Sequence, residues 1–403
     1  MENIAMNRNW LIIILIIFPT IVFSQKINEK ELLPFADIKN GNYLSAIDSL
    51  KTIISVNPKP EFYLTIAEAY FELGNYDKAL EYCNKLEKIK QFYSSKLKFK
   101  IYLWNNKQEN AKKFLIENLK SDYKISLYDL LHHTDFSGIY NMELDNFILT
   151  GNYYSQTEKQ LYQVDRLIED EKHTQALFIV NEIITRNSSI AQALYLQSKI
   201  YYFEKDFQGA LKSINSSVEL KRSSSEYLKH RIEINRMLNE IDEALVDINK
   251  LIKLESYNID NYIIKADLLF KTNQFDKAIE LTNSTLKILP EDPDVLYLSS
   301  KSYFMKKDHL EALKAINQAL QKKLDKDFYE LRGDIYSATN TYEFAIRDYA
   351  MYLDIVPYNG DIYAKKGFAR LKLGDKKGAC YDWEKGKRYG SYNANRYLEK
   401  YCR

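Results

Sequence analysis

An alanine recurs along this 403-residue chain at a nearly constant spacing, with an apolar helical pattern on each side of it. The last six intervals between these alanines are 34, 34, 34, 34, 33 and 34 residues. A fixed period of this length indicates one supersecondary unit repeated many times rather than several unrelated domains. The anchoring alanines are Ala46, Ala79, Ala111, Ala176, Ala210, Ala244, Ala278, Ala312, Ala345 and Ala379.

Other positions keep the same phase. A small residue stands twelve positions before the alanine, an aromatic residue three before it, and a proline twelve after it or at the start of the next helix. Small side chains let two helices approach closely, and proline suits a helix end or a first helical position. The small residues are Ala67, Ser198, Ala266, Ser300, Gly333 and Gly367, the aromatic ones are Tyr43, Tyr76, Phe207, Phe275 and Tyr342, and the prolines are Pro58, Pro60, Pro290, Pro293 and Pro357.

The composition favours helices over strands. Only 12 Gly and 7 Pro occur, beside 46% hydrophobic and 28% charged residues, which suits long uninterrupted helices. A single hairpin of two short amphipathic helices cannot bury its apolar face alone, whereas stacked copies share one continuous core. The pattern therefore predicts an elongated array.

This pattern resembles the tetratricopeptide repeat (TPR), a 34-residue helix–turn–helix with a small residue near position 8, an aromatic at 17, alanine at 20 and proline at 32. The resemblance covers about residues 35–390. It implies an all-α fold: a right-handed α-solenoid of about ten helix–turn–helix units with a C-terminal capping helix.

The predicted organisation follows from where the pattern holds. Residues 25–120 form N-terminal TPR-like units, residues 157–390 form a regular array, and residues 391–403 form the capping helix. Residues 121–156 keep helical periodicity but lack the alanine, which predicts a divergent helical segment. Pro34 occupies the small-residue position of the first unit, so we predict a shortened leading helix there and an N-terminal cap.

The first residues have the order of a secretory signal. Arg8 precedes an apolar run from Trp10 to Phe23, and Val22 and Ser24 stand at the −3 and −1 positions of a cleavage site. The run of 14 residues is shorter than the roughly 20 needed to span a bilayer, which favours cleavage over the alternative of an uncleaved anchor. We predict that residues 1–24 are a signal peptide removed after Ser24. The mature chain is then periplasmic or secreted, with membrane contact only before cleavage.

The charge balance argues against a nucleic-acid partner. Lys and Arg total 57 against 55 Asp and Glu, a net charge of +2, and no basic block stands out. Binding to phosphates needs a concentrated basic face.

No motif in the chain predicts catalysis, a metal or a cofactor. His132, His133 and Asp135 are the only cluster that resembles metal ligands, and neighbouring helix positions point about 100° apart, so the two imidazoles do not share one ion easily. Gly-rich phosphate loops, GxSxG and HExxH are absent from the sequence. We predict a protein that is not an enzyme.

Two of the three cysteines are predicted to pair. Cys83 occupies a core-facing position and is read as a buried thiol. A helical hairpin that turns near Gly390 would place Cys380 beside Cys402, and the ending "GACYDW…YLEKYC" also resembles the terminal unit of many secreted bacterial TPR proteins. In an oxidising compartment a disulfide is then favoured over the alternative of two free thiols.

The resemblance also implies a binding surface. In TPR arrays, positions 2, 5, 9 and 12 of each first helix line a concave groove, and here they combine aromatic rings with alternating charges, which suits an extended peptide or protein segment. We predict an extracytoplasmic scaffold that assembles a cell-envelope or secretion-associated complex, with a carbohydrate- or peptidoglycan-binding module as the alternative. The predicted groove residues are Tyr195, Lys199, Tyr202, Lys229, Glu233, Arg236, Ile263, Asp267, Phe270, Tyr297, Lys301 and Phe304.

Overall fold

The computed structural model describes residues 29–132 and 151–402, which are helical throughout apart from short connections. The predicted signal peptide, His133 and Asp135 lie outside these ranges. The helices are α1 Glu29–Lys39, α2 Tyr43–Ile54, α3 Pro60–Glu72, α4 Tyr76–Glu87, α5 Ser95–Trp104, α6 Gln108–Leu119, α7 Leu127–His132, α8 Gln156–Glu169, α9 His173–Arg186, α10 Ala191–Phe203, α11 Phe207–Leu220, α12 Ser225–Met237, α13 Ile241–Leu254, α14 Ile259–Lys271, α15 Phe275–Leu286, α16 Pro293–Met305, α17 His309–Lys322, α18 Lys326–Ala338, α19 Tyr342–Ile355, α20 Gly360–Lys372, α21 Lys376–Arg388 and α22 Tyr392–Tyr401.

Twenty of these helices form ten hairpins, each built around one of the anchoring alanines. Three hairpins precede α7 and seven follow it, and α22 packs on α20 and α21 at the C-terminal end. The first three hairpins pack on one another in order, as do the last seven, and α7 packs on α8 between the two groups. The fold is therefore an all-α solenoid of about ten units, as predicted. None of the helices in the described ranges is long and apolar enough to cross a membrane.

All ten hairpins turn in the same way, through a residue of positive φ five positions before the alanine. At Gly74 the backbone N–H donates to the Phe71 carbonyl (2.8 Å), and the N–H of Asn75 donates to the Tyr70 carbonyl (2.9 Å). The Asn75 side chain then accepts from the Lys78 N–H and caps the second helix. This left-handed C-cap satisfies carbonyls that a helix end leaves unpaired. The ten turn residues are Gly41, Gly74, Asn106, Glu171, Lys205, Asn239, Asn273, Lys307, Asn340 and Gly374.

In the last two units a glycine is required by a close helix crossing. A Cβ at Gly367 would lie 2.5 Å from Nε1 of Trp383, and one at Gly333 would lie 2.7 Å from a ring carbon of Tyr349. Both rings are buried in the core, and interiors are already close-packed. These two hairpins can therefore close only over a residue with little or no side chain. Three other hairpins carry a larger buried residue at the same position: Phe99, Val164 and Ile232.

A buried ion pair recurs between the two helices of a unit. The Arg231 guanidinium donates to both Asp247 oxygens (2.7 and 2.8 Å) and, through Nη1, to Asn215 Oδ1 of the preceding unit (3.0 Å). Arg332 repeats the arrangement with Asp348 and Asn317, which occupy equivalent positions. Each arginine thus joins its own two helices to the unit before it.

The N-terminal unit packs against the middle of the array. Leu32 and Ala36 of α1 are buried in one apolar cluster with Ile259 and Tyr262 of α14. An ion pair between Lys39 and Asp260 (2.5 Å) adds to this contact. The apolar face of α1 is therefore covered by a distant unit and does not form a solvent-facing cap.

The leading helix is not interrupted by Pro34. Within the described residues α1 continues on both sides of the buried Pro34. A proline inside a helix removes one N–H and crowds the preceding turn. The burial of Leu32, Pro34 and Ala36 supplies the packing that holds this helix together.

Candidate binding groove

The first helices of successive units lie closest together. Contacts that skip a helix join first helix to first helix: α8 to α10, α14 to α16, and α16 to α18. Because the first helices approach one another more closely than their partners do, the array curves with the first helices on its concave side. This surface is called the groove below.

The predicted groove residues lie three to a helix on α10, α12, α14 and α16. All are half-buried except Lys229, which is exposed. They are Tyr195, Lys199 and Tyr202, then Lys229, Glu233 and Arg236, then Ile263, Asp267 and Phe270, then Tyr297, Lys301 and Phe304. Some of them contact a groove residue of a neighbouring unit, as Arg236 contacts Asp267 and Lys301 contacts Phe270.

The groove charges are paired with one another. Arg236 donates to Glu233 within its own helix (2.9 Å) and to Asp267 on the next first helix (3.3 Å), and Lys271 also reaches Asp267 (3.0 Å). Lys229 turns instead to Glu255 in the connection before α14 (2.9 Å). A segment that binds in the groove would therefore contact side chains whose charges are already paired. Its selectivity would depend on its shape and on the charge that these pairs leave uncompensated.

The aromatic rings of the groove are also packed on other groups. Tyr195 stacks on Tyr227, with ring centroids 4.9 Å apart. Tyr297 stacks on Phe328 at 4.8 Å. The Lys301 ammonium lies over the ring of Phe270 at 4.4 Å, a favourable cation–π distance. These contacts leave edges, more than open ring faces, for a ligand.

A polar cavity of about 340 Å³, here the central pocket, lies where α7 and the preceding connection meet the groove. Burial raises the pKa of Asp165 to about 6, although the Lys199 ammonium at 3.5 Å opposes the shift. The sequence prediction named Tyr195 and Lys199 but missed Asp165, although Asp165 stands eleven residues before its alanine, the register position of Lys199. The lining residues are Lys124, Ile125, Ser126, Leu127, Tyr128, Asp129, Glu158, Tyr162, Asp165, Gln192, Tyr195, Leu196, Lys199, Lys221, Glu226 and Tyr227.

A second cavity of about 380 Å³, here the C-terminal pocket, lies between the last units and α22. Phe304 is the only predicted groove residue among those that line it. Sequence reasoning missed the others, which come from four different helices, α18, α19, α20 and α22. The lining residues are Phe304, Asp334, Ser337, Ala338, Tyr349, Asp361, Ala364, Lys365, Phe368, Asn393 and Tyr397.

A disulfide joins Cys380 of α21 to Cys402 at the end of α22. The rings of Tyr397 and Tyr401 pack on the fully buried Trp383, with centroids 5.3 and 5.7 Å away. The capping helix is thus held by this disulfide, called the clasp below, and by an aromatic cluster. Cys83 is a buried thiol, and burial raises its pKa to about 12, which makes it a poor nucleophile at neutral pH.

Within residues 29–132 and 151–402, no group of three His, Cys, Asp or Glu side chains is arranged to hold a metal ion. The histidine cluster considered in the sequence falls mostly outside these ranges, with only His132 at the end of α7.

Comparison with known proteins places the repeats in a family. The tetratricopeptide repeat family matches residues 36–94, and the family of anaphase-promoting complex (cyclosome) subunit 3 matches residues 237–319. The chain is similar to a TPR repeat-containing protein of Methanocaldococcus jannaschii, at 23% identity over 76% of this chain and 57% of that protein. It is also similar to the anaphase-promoting complex subunit CDC27 of Saccharomyces cerevisiae, at 25% identity over 46% of this chain and 26% of that one. The chain thus spans only part of the length of these relatives.

A solved TPR protein from Parabacteroides merdae shares the fold. Its TM-score is 0.52 at 16% identity, with 61% of this chain and 98% of that chain covered. The ten hairpins, their common turn and the family matches identify this chain as a tetratricopeptide-repeat protein. TPR proteins bind other proteins or peptides.

Proposed function

We propose that this chain is an extracytoplasmic scaffold that binds an extended segment of a partner protein along the groove. In this role it helps to assemble a cell-envelope or secretion-associated complex and carries out no catalysis itself. The observation that carries the proposal is the continuous row of half-buried rings and paired charges on successive first helices, from Tyr195 to Phe304.

The groove suits an extended segment because its chemistry repeats from unit to unit. Successive first helices present polar and aromatic side chains at the same register, and each interacts with the next. A peptide lying across several units would meet alternating charge and ring edges, and interfaces with buried aromatic and arginine anchors favour binding.

Export is supported by the signal-like order of Arg8, the apolar run and Ser24. The disulfide between Cys380 and Cys402 is also typical of oxidising compartments. Mass spectrometry of the protein from its native host tests this part. A mature N-terminus at Gln25 is expected, and a product that keeps Met1 or Trp10 contradicts export.

Groove binding is tested by replacing Tyr195, Lys229 and Phe270 together with alanine and measuring recovery of partners cross-linked to the exported protein. Partners are expected to be lost while helicity is unchanged. The matched control replaces Phe178 and Leu310, which are 66% and 76% exposed on second helices. Equal loss of partners in both variants contradicts a groove-specific site.

The alternative is a carbohydrate- or peptidoglycan-binding module that uses groove rings as stacking platforms. The ring packing argues against it, because Tyr195 and Tyr297 already stack on other rings and Lys301 lies over Phe270. Sedimentation with purified cell-wall material separates the two functions. Retention that the triple groove variant abolishes would favour the module.

A further inference from the structure

We propose that the C-terminal pocket holds an aliphatic or aromatic side chain of the partner segment, with a lysine or arginine of that segment beside it. We also infer that the pocket forms only when α22 is clasped to α21. This proposal rests on the groove function above and assigns the chemistry of one of its sites.

The interior of the pocket is apolar and large enough for one bulky side chain. Phe304, Ala338, Ala364 and Phe368 line it together with the ring of Tyr397. Its volume of about 380 Å³ falls within the range of ligand sites, and such sites are mostly apolar with a few polar groups that fix orientation. An apolar anchor in a pocket is also the usual centre of binding energy in an interface.

The wall of the pocket is acidic. The Lys365 ammonium lies between Glu330 and Asp334, at 2.7 Å from an oxygen of each. Asp361 adds a third carboxylate, which accepts a hydrogen bond from the Ser391 hydroxyl (2.6 Å). Of these carboxylates, Asp334 and Asp361 line the pocket itself, and with Lys365 they leave a net charge of −1 on the lining when all three groups are ionised.

Two cations lie beside the apolar part of the lining. The Lys372 ammonium is over the ring of Phe368 (5.3 Å to the centroid) and the Arg396 guanidinium is over the ring of Tyr397 (5.6 Å). The negative charge is therefore confined to the part of the pocket that Asp334 and Asp361 line.

This charge selects the partner. Burial lowers the pKa of Lys365, but Asp334 and Glu330 more than offset this and raise it, so Lys365 stays charged at neutral pH. An acidic segment is repelled by the remaining negative charge, whereas a lysine or arginine beside the apolar anchor is attracted. Glu330 and Asp334 already bind the Lys365 ammonium. The same wall therefore has the geometry to bind an ammonium group.

The terminal helix completes the site. Asn393 and Tyr397 of α22 form one side of the pocket, and Ser391 at its N-cap holds Asp361. The disulfide fixes the far end of the same helix to α21. Reduction of the clasp frees this wall to move, so binding depends on the redox state of Cys380 and Cys402.

The experiment uses a phage-displayed library of random dodecapeptides, panned on the oxidised mature chain. We expect enrichment of peptides with a lysine or arginine next to a bulky apolar residue. A synthetic peptide of the enriched sequence is then titrated against variants, with circular dichroism to confirm the fold. The double variant Phe368→Ala/Tyr397→Ala should weaken binding by about tenfold or more. Tyr392→Ala, on the same helix but 76% exposed, is the matched control and should not change it.

Two further arms test charge and the clasp. Lys365→Ala leaves Glu330 and Asp334 without their shared cation and should tighten binding of the basic peptide. Cys402→Ser should weaken it. Raising the salt from about 0.05 M to about 0.5 M should weaken binding to the wild-type chain, because screening shortens the reach of the charges.

The outcomes separate the two proposals. Enriched peptides whose binding is abolished by the triple groove variant but not by Phe368→Ala/Tyr397→Ala overturn this inference and leave groove binding intact. Enrichment of acidic peptides, or weaker binding by Lys365→Ala, also overturns it. A library that yields no binding peptide overturns both proposals.

Discussion

Phe35 and Tyr257 stack face to face, with ring centroids 4.7 Å apart and planes 8° from parallel. Phe35 belongs to the first hairpin, whereas Tyr257 lies in the connection before the seventh. The Tyr257 hydroxyl also donates to Glu31 (2.8 Å), 226 positions earlier in the chain. A repeat array normally has contacts only between neighbouring units. Here α1 contacts the connection before α14 in addition to its neighbouring helix, so the first unit packs against a unit in the middle of the array.

Replacing Phe35 by alanine should loosen the N-terminal hairpin. The expected loss of stability is about 1–2 kcal/mol, because an aromatic pair contributes about 0.5–1.5 kcal/mol beyond the area that it buries. Hydrogen exchange should rise in α1 and also in residues 255–262, across the contact. Leu33→Ala, on the same helix but 45% exposed, is the control. Faster exchange in α1 alone would mean that the distant contact does not stabilise the array.

Removing Arg231 should be among the most damaging single changes. Arg231→Ala leaves the Asp247 carboxylate, 3% exposed, with Lys250 (3.2 Å) as its remaining cationic partner. Loss of one partner of a buried pair costs about 3–5 kcal/mol when the other charge is left unpaired, and Lys250 should hold the loss to the lower end of that range. Guanidinium unfolding followed by circular dichroism measures the loss. Arg186→Ala removes an exposed pair with Glu182 (3.2 Å) and should cost less than about 1 kcal/mol. Similar losses in the two variants would contradict a structural role for the buried pair.

Stability should vary little between pH 4 and 6, because two buried groups oppose each other there. Burial raises the pKa of Asp165 to about 6, so its contribution is present at low pH and is lost as pH rises through about 6. Burial lowers the pKa of His230 to about 4, so its contribution is present above about 6.5 and is lost as pH falls through about 4. Each effect is of the order of 3 kcal/mol, at about 1.4 kcal/mol per pKa unit.

Single substitutions should reveal the two opposing slopes. In Asp165→Asn the Asp165 slope is lost, so the free energy of unfolding should rise between pH 4 and 6.5 relative to the wild type. In His230→Gln the His230 slope is lost, so the free energy of unfolding should fall between pH 4 and 6 relative to the wild type. Denaturant titrations at several pH values check both. Parallel profiles for the two variants would show that these groups do not set the pH dependence.

Two glycines of the last unit should respond differently to substitution. Gly367→Ala places a Cβ 2.5 Å from the Trp383 ring nitrogen and 3.0 Å from the Ala379 carbonyl oxygen, and such overpacking costs about 1–3 kcal/mol. Gly374→Asn should be nearly neutral, because its turn position is open and asparagine tolerates positive φ. Thermal unfolding compares the two variants. A larger loss at Gly374 would contradict the packing argument.

The clasp should stabilise the end of the array locally. Cys380 and Cys402 enclose a loop of 22 residues, and a disulfide across such a loop contributes about 3 kcal/mol in the chain-entropy account. In Cys402→Ser, hydrogen exchange should rise in α20, α21 and α22 and stay unchanged near Ala244. Non-reducing peptide mapping first establishes the bond. Unchanged exchange at the C-terminal end would mean that aromatic packing on Trp383 suffices.

The sequence by itself determined the repeating unit and its register, because every feature that defines the unit is local. The turn lies five residues before the anchoring alanine, and the small residue twelve before it marks the crossing, as Gly367 does over Trp383. The ten hairpins could therefore be predicted from spacing alone. The same register predicted which side chains, such as Arg236 and Phe270, stand on successive first helices.

Only the tertiary structure decided which distant units meet. The position of α1 against α14 depends on small rotations summed over several units, and no single unit's sequence reveals that sum. The C-terminal pocket was missed for another reason. Asp334 and Phe368 stand eleven residues before their alanines, the register of Lys199, but on the two units that follow the predicted groove residues, and Tyr397 comes from α22, outside the repeat. Local spacing sets what each unit is, whereas the accumulated geometry of the array sets which of its side chains form a site.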